Sequence, residues 1–196
     1  HEPWITSFAV NQDTSEMVVG VCTRGSCAGG MSAPSPSGEL TLFRSTDGGV
    51  TWADYGALTG DVYISGGIRN GEIMVARYLQ EPPATVPPGG TPRPPKAPEY
   101  YFYPSGEAIP TPAGADGYWQ PVILPGGDVA WRTHDGRLVD PAGGQIAATG
   151  GSFRYLPRVY AAQGGIALEW GYDEVQRNYL AVFDADGRTG SVFRFP

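Results

Sequence analysis

The chain has 196 residues and a formal net charge of −7, with Lys96 its single lysine. That length fits one domain, which at this size buries about 70% of its unfolded surface. An acidic chain without a basic cluster argues against nucleic acid and against anionic membrane surfaces as partners. The 29 Gly and 19 Pro disfavour long helices, while 41% hydrophobic and 12% aromatic residues supply a core. The joint expectation is an all-β domain rich in turns. No apolar run approaches the roughly 20 residues needed to span a bilayer.

Taken in order, short period-two runs bounded by turn residues recur along the chain. The first group is WITSFAV, the turn NQDTS, EMVVGVCT, a long loop, ELTLFRS, the turn TDGG and VTWADYG. The second is DVYISGGI, RNG, EIMVARYL, a long loop, EYYFYP, SG and EAIPTP. The third is WQPVILP, GG, DVAWRT, HDG, RLVD and QIAAT. The fourth is YLPRVYAA, QGG, IALEWGYDEV, QRN, YLAVFD, ADG and RTGSVFRF. Four units of four strands follow, over residues 4–57, 61–112, 118–150 and 153–196. Asp-Gly or Ser-Gly turns fall at 47–48, 105–106, 135–136 and 186–187, where glycine accepts positive φ without steric cost.

Repeated four-stranded antiparallel units predict a β-propeller-like domain of about four blades. A β-sandwich and a part of a larger propeller are the alternatives. The expectation is one self-contained domain, with the terminal strands sharing a blade to close the ring. Both long loops, Arg24 to Gly38 and Gln80 to Pro98, join the second and third strands of their units. In a propeller they lie on the face that carries the connections between blades, where ligands bind. The second loop is too proline-rich for regular structure.

Cys22 and Cys27 are the only cysteines. Their closeness in a Gly/Ser-rich stretch predicts a local disulfide and an oxidising compartment, extracellular or at the cell surface. A metal site would need two more soft ligands, and His1 and His134 alone are available. No metal and no cofactor are expected. The opening HEPW has no basic region followed by an apolar run, which fits a mature secreted protein or a piece of a larger one.

The stretch STDGGVTW at 45–52 carries Ser45, Asp47, Gly49, Thr51 and Trp52 at the spacing Ser-x-Asp-x-Gly-x-Thr-Trp. It resembles the Asp-box, or BNR repeat, of sialidase-like β-propellers. THDGRL at 133–138 and DADGRT at 184–189 keep the Asp-Gly and little else. The resemblance implies a propeller and a structural hairpin between the last two strands of a blade, facing away from the active site. Asp47 is expected to accept backbone N–H groups, Ser45 and Thr51 to fasten the two sides, and Trp52 to bury its ring over the hairpin.

An active sialidase would also need three arginines on a carboxylate, a Tyr–Glu pair and an acidic catalyst. The family's Arg-Ile-Pro element is absent, and Leu156-Pro157-Arg158 is late and in the wrong order. There is no GxSxG, phosphate loop or HExxH. Asp173 and Glu174 are adjacent, so on a strand they would point to opposite faces. No catalytic residue is assigned.

A binding site asks only for aromatic platforms and a few directed polar groups. The ends of the second strands supply Arg77, Tyr78, Trp131, Arg132, Trp170, Tyr172 and Asp173 as candidates. The run Tyr100 to Tyr103 should place alternate rings on opposite sheet faces. The resulting expectation is a non-catalytic ligand-binding or sensory domain of a bacterial surface or secreted protein, with a glycan or protein ligand and a membrane-anchored parent as one setting. A reduced sialidase-like glycoside hydrolase and a structural module of a cell-surface assembly are the rival readings.

Overall fold

The computed structural model describes residues 4–11, 14–24, 27, 38–78, 98–115, 119–124, 126–133 and 137–148, and the backbone of four strands beyond them. The chain is all-β. Alternating apolar residues build β1 (Trp4–Asn11), β2 (Glu16–Arg24), β3 (Glu39–Ser45) and β4 (Ala53–Thr59). Next come β5 (Val62–Arg69), β6 (Glu72–Arg77), β7 (Glu99–Tyr103) and β8 (Ala108–Ile109). Shorter strands follow: β9 (Gln120–Ile123), β10 (Val129–Arg132), β11 (Arg137–Val139) and β12 (Gln145–Ala148). The last are β13 (Arg158–Ala162), β14 (Ile166–Tyr172), β15 (Asn178–Phe183) and β16 (Gly190–Arg194).

Each set of four consecutive strands forms one antiparallel sheet in sequential order. The terminal strands therefore do not share a sheet: β1 is an edge of the first and β16 an edge of the fourth. Consecutive strands pair across tight turns or across the long loops between the second and third strands of the first two sheets, so each sheet closes without borrowing a strand from another. Among the strand bounds that differ from the sequence expectation, two have a local cause. The β4 strand begins at Ala53 rather than Val50, because residues 46–52 are taken up by the turn. The β8 strand is two residues long because Pro110 and Pro112 cannot donate to the ladder.

The sheets stack through side chains of alternating direction. In the second sheet Val62, Ile64, Ile73 and Val75 pack with Val18, Leu40 and Leu42 of the first. Their neighbours Met74, Ala76, Tyr100 and Phe102 pack the other way, onto Ile123, Trp131 and Val139 of the third. Tyr100 and Phe102 thus serve one face, and Tyr101 and Tyr103 join the cluster on the other. This is why β6 reads as a nearly continuous apolar run.

First strands lie side by side across the sheets: β1 along β5, β5 along β9, and β13 beside both β9 and β5. Hydrogen bonds fix the first of these contacts. The Ile64 N–H donates to Ser7 Oγ at 3.4 Å, and Asn11 Nδ2 donates to the Ile68 carbonyl at 3.5 Å. Both pairs are 57 residues apart, so β1 and β5 run in the same direction.

Candidate functional site

Two ends of the stack differ in chemistry. The hairpin end holds the turn between β3 and β4. Ser45, at the end of β3, is 1% exposed. Its hydroxyl donates to Asp47 Oδ1 at 2.8 Å and accepts the Gly49 N–H at 2.8 Å. The Asp47 carboxylate also accepts the Thr51 N–H at 2.9 Å and the Thr51 hydroxyl at 2.6 Å. Gly48 and Gly49, with φ of 72° and 91°, turn the chain, and the Gly48 N–H donates to the Ser15 carbonyl of the neighbouring turn at 3.1 Å.

The Thr51 hydroxyl, the Thr51 N–H and the Ser45 hydroxyl hold the Asp47 carboxyl down at a pKa of about 2. Its oxygens face hydrogen-bond donors, which is a setting for a structural anion and a poor one for a cation. Among the described residues no three His, Cys, Asp or Glu side chains converge as metal ligands. Trp52 departs from expectation. Its indole N–H donates to the Gly49 carbonyl at 2.9 Å, yet the residue remains 42% exposed. The ring caps the turn rather than burying itself, because it stands beyond the end of the sheet.

The opposite end carries the connections between sheets. Here Cys22, at 0% exposure, is joined to Cys27 in a disulfide with a Cα–Cα distance of 5.6 Å. Both belong to the core between the first two sheets. At the same end, on the other face of the second sheet, lies an aromatic group built by strand register. Tyr63 pairs with Ala76, and Ala76 pairs with Tyr100. The small Ala76 lets two tyrosines approach across the middle strand. Tyr63 stacks on Tyr78 at 5.7 Å between centroids, with planes 27° apart. Tyr100 meets Trp131 of the third sheet edge-on at 5.3 Å. The rings of Tyr78, Tyr63, Tyr100 and Trp131 run from a half-exposed rim into the core, with Trp119 packed alongside.

Polar groups stand at the rim. The Tyr78 N–H donates to the Asp61 carbonyl at 2.9 Å. Arg77 is exposed on the other face of the sheet, with its guanidinium 4.9 Å from the centre of the Tyr101 ring. Burial raises the Asp61 carboxyl above its ordinary value. Burial, followed by the electrostatic effect of the nearby Tyr63 hydroxyl, raises the phenols of Tyr78 and Tyr100. Both stay protonated through neutral pH and act as neutral donors.

The candidates from the sequence separate accordingly. Tyr78 lies at the rim, whereas Arg77, over Tyr101, stands on the other face of the second sheet. Trp131 and Arg132 are 0% and 1% exposed, so they are core groups and present no surface to a ligand. The Arg132 Nη1 donates to the Thr133 carbonyl at 3.0 Å. Trp170 and Tyr172 occur on β14, opposite Arg158 and Asn178 in register. Asp173, His134 and the turns at 135–136 and 186–187 lie outside the described residues. Asp61, Tyr63 and Trp119 were missed. The signal for Tyr63 was its register with Ala76 and Tyr100, which depends on pairing rather than on any single strand. No protein-family model matches the chain, and neither does any curated protein sequence.

Proposed function

We propose that the chain is a non-catalytic, β-propeller-like ligand-binding domain of a bacterial surface or secreted protein. The propeller reading is supported by four sequential four-stranded sheets whose first strands lie side by side. The turn at 45–52, with its spacing and its buried Ser45, supports kinship with Asp-box propellers. The Cys22–Cys27 disulfide supports an oxidising, extracellular setting.

One observation carries the binding role: the tyrosine group at the connection end, with Asp61 at its rim. Tyr63 and Tyr78, the half-buried members, offer flat apolar faces and hydroxyl groups, the equipment for a glycan or a protein loop. The same chemistry weighs against the glycoside hydrolase reading. A tyrosine nucleophile needs a phenol made easier to ionise, and Tyr78 and Tyr100 are shifted the other way.

The test is incubation of the purified protein with a glycan panel and a peptide panel, reading complexes and products by mass spectrometry. Binding without turnover is expected. Tyr78→Phe should weaken it about tenfold, the worth of one hydrogen bond. Turnover of any glycan overturns the non-catalytic reading. Binding that Tyr78→Phe leaves intact moves the site elsewhere.

A further inference from the structure

Among the described residues, three arginines lie over aromatic rings, and two of these also pair with a carboxylate. Arg44 stands 5.4 Å from the centre of the Tyr55 ring and 2.6 Å from Glu16 Oε1. Arg69 stands 3.6 Å from the centre of the Phe102 ring and 2.9 Å from Glu107 Oε2. Both trios of ring, carboxylate and guanidinium lie at the hairpin end. The connection end repeats the ring and the carboxylate without the cation. Val62 packs toward the first sheet, so by alternation Asp61 and Tyr63 face the third, as Tyr78 does. The Tyr78 N–H donates to the Asp61 carbonyl, which sets the two residues opposite each other, where Cβ atoms lie about 4.5–5.5 Å apart. Asp61, Tyr63 and Tyr78 are all half-buried. Among the described residues no basic side chain pairs with Asp61, and Arg77 stands over Tyr101 on the other face.

We infer that Asp61, Tyr63 and Tyr78 receive a guanidinium, the arginine side chain of a peptide or protein ligand. This rests on the binding reading above and narrows it from a glycan or protein to a basic protein segment. A guanidinium is flat and weakly hydrated. It can lie on a tyrosine face while donating two parallel hydrogen bonds to one carboxylate. Burial raises the Asp61 carboxyl above its ordinary value, and an opposite charge from the ligand offsets that cost. The net charge of −7 draws a cation in and turns away acidic glycans and acidic peptides. A neutral sugar would use the ring faces and leave Asp61 without an opposite charge.

The test is a titration of the purified chain, with its tyrosine rings isotope-labelled for NMR. The probes are short capped Gly/Ser peptides identical except for a central Arg, Lys, Gln or Glu. The Arg peptide should bind about tenfold more tightly than the Gln peptide and move the Tyr63 and Tyr78 ring signals. The Lys peptide should be weaker than the Arg peptide, and the Glu peptide weakest. Asp61→Asn should cost the Arg peptide about tenfold. Asp128→Asn, the same charge change at an exposed residue of the β9–β10 turn, should leave its affinity unchanged. The comparison of Arg with Gln on the unaltered chain is free of any folding defect. Equal affinity for Arg and Gln, or for Arg and Lys, overturns the inference. So does Arg binding that survives Asp61→Asn. Arg93 and Lys96 lie outside the described residues, and Arg binding that appears only after both are changed to Gln assigns the site to the chain's own cation and overturns it too. A neutral glycan that binds at Tyr78 where the Arg peptide does not overturns the guanidinium and keeps the binding site. Silence from every peptide and every glycan removes both.

Discussion

Asp47 works by accepting hydrogen bonds, so its charge matters for the turn. Its pKa falls from the ordinary 3.8 to about 2 in the folded chain. A depressed carboxylate stabilises the fold fully above the unfolded value, and that contribution disappears as pH falls from about 4 through 2. Asp47→Asn should therefore melt below the unaltered chain at neutral pH, and the gap should close over that acid window. Thermal denaturation at stepped pH measures it; a gap independent of pH would sink the argument. Gly56 is bound by shape instead. Its φ of 123° disfavours any side chain, and a Cβ there would overlap the Tyr103 hydroxyl. That hydroxyl donates to the Tyr55 carbonyl at 3.3 Å and helps to join the first two sheets. Gly56→Ala should cost about 2–3 kcal/mol from overlap and backbone strain together. Adding Tyr103→Phe should recover only part of this, since the φ remains. Chemical denaturation of both variants separates the two terms.

At the scale of elements, the disulfide and the strand alternation were legible and the roles of particular rings were not. The Cys22–Cys27 ring is small, so the chain-entropy model gives it about 2 kcal/mol. Reduction should lower the melting temperature by about 4–8 °C for a chain of this length, read by calorimetry with and without reductant. Trp131 shows the limit of reading one strand at a time. Period two says that it faces away from Ala130 and Arg132, but not which face is covered. The answer lies in Tyr100, across a sheet boundary. Trp131→Ala should therefore act as a core deletion, costing about 3–5 kcal/mol in denaturant unfolding. A variant of unchanged stability would put Trp131 back among the surface candidates. The same limit applied to Trp52, whose exposure follows from its place past the sheet end.

For the whole molecule, stability should follow sheet position. Residues Ile73 to Ala76 of β6 are 0–1% exposed and lie between two packed faces. Their amides should exchange slowest, at rates set by global unfolding, while β1 and β4 at the edges of the first sheet exchange through local opening. Hydrogen exchange resolved by peptide would show this order, and uniform protection across both sheets would contradict it. The sequence by itself determined the all-β class, the sixteen-strand grouping, the disulfide partners and the hydrogen bonding of the 45–52 turn. Each of these is a local matter: period-two alternation, glycine at a turn, two cysteines five residues apart. Only the tertiary structure decided that Tyr63, Tyr78, Tyr100 and Trp131 form one group and that Trp131 and Arg132 are core. Those facts depend on which sheet lies against which face, and alternation within a strand is the same for a covered face and a bare one.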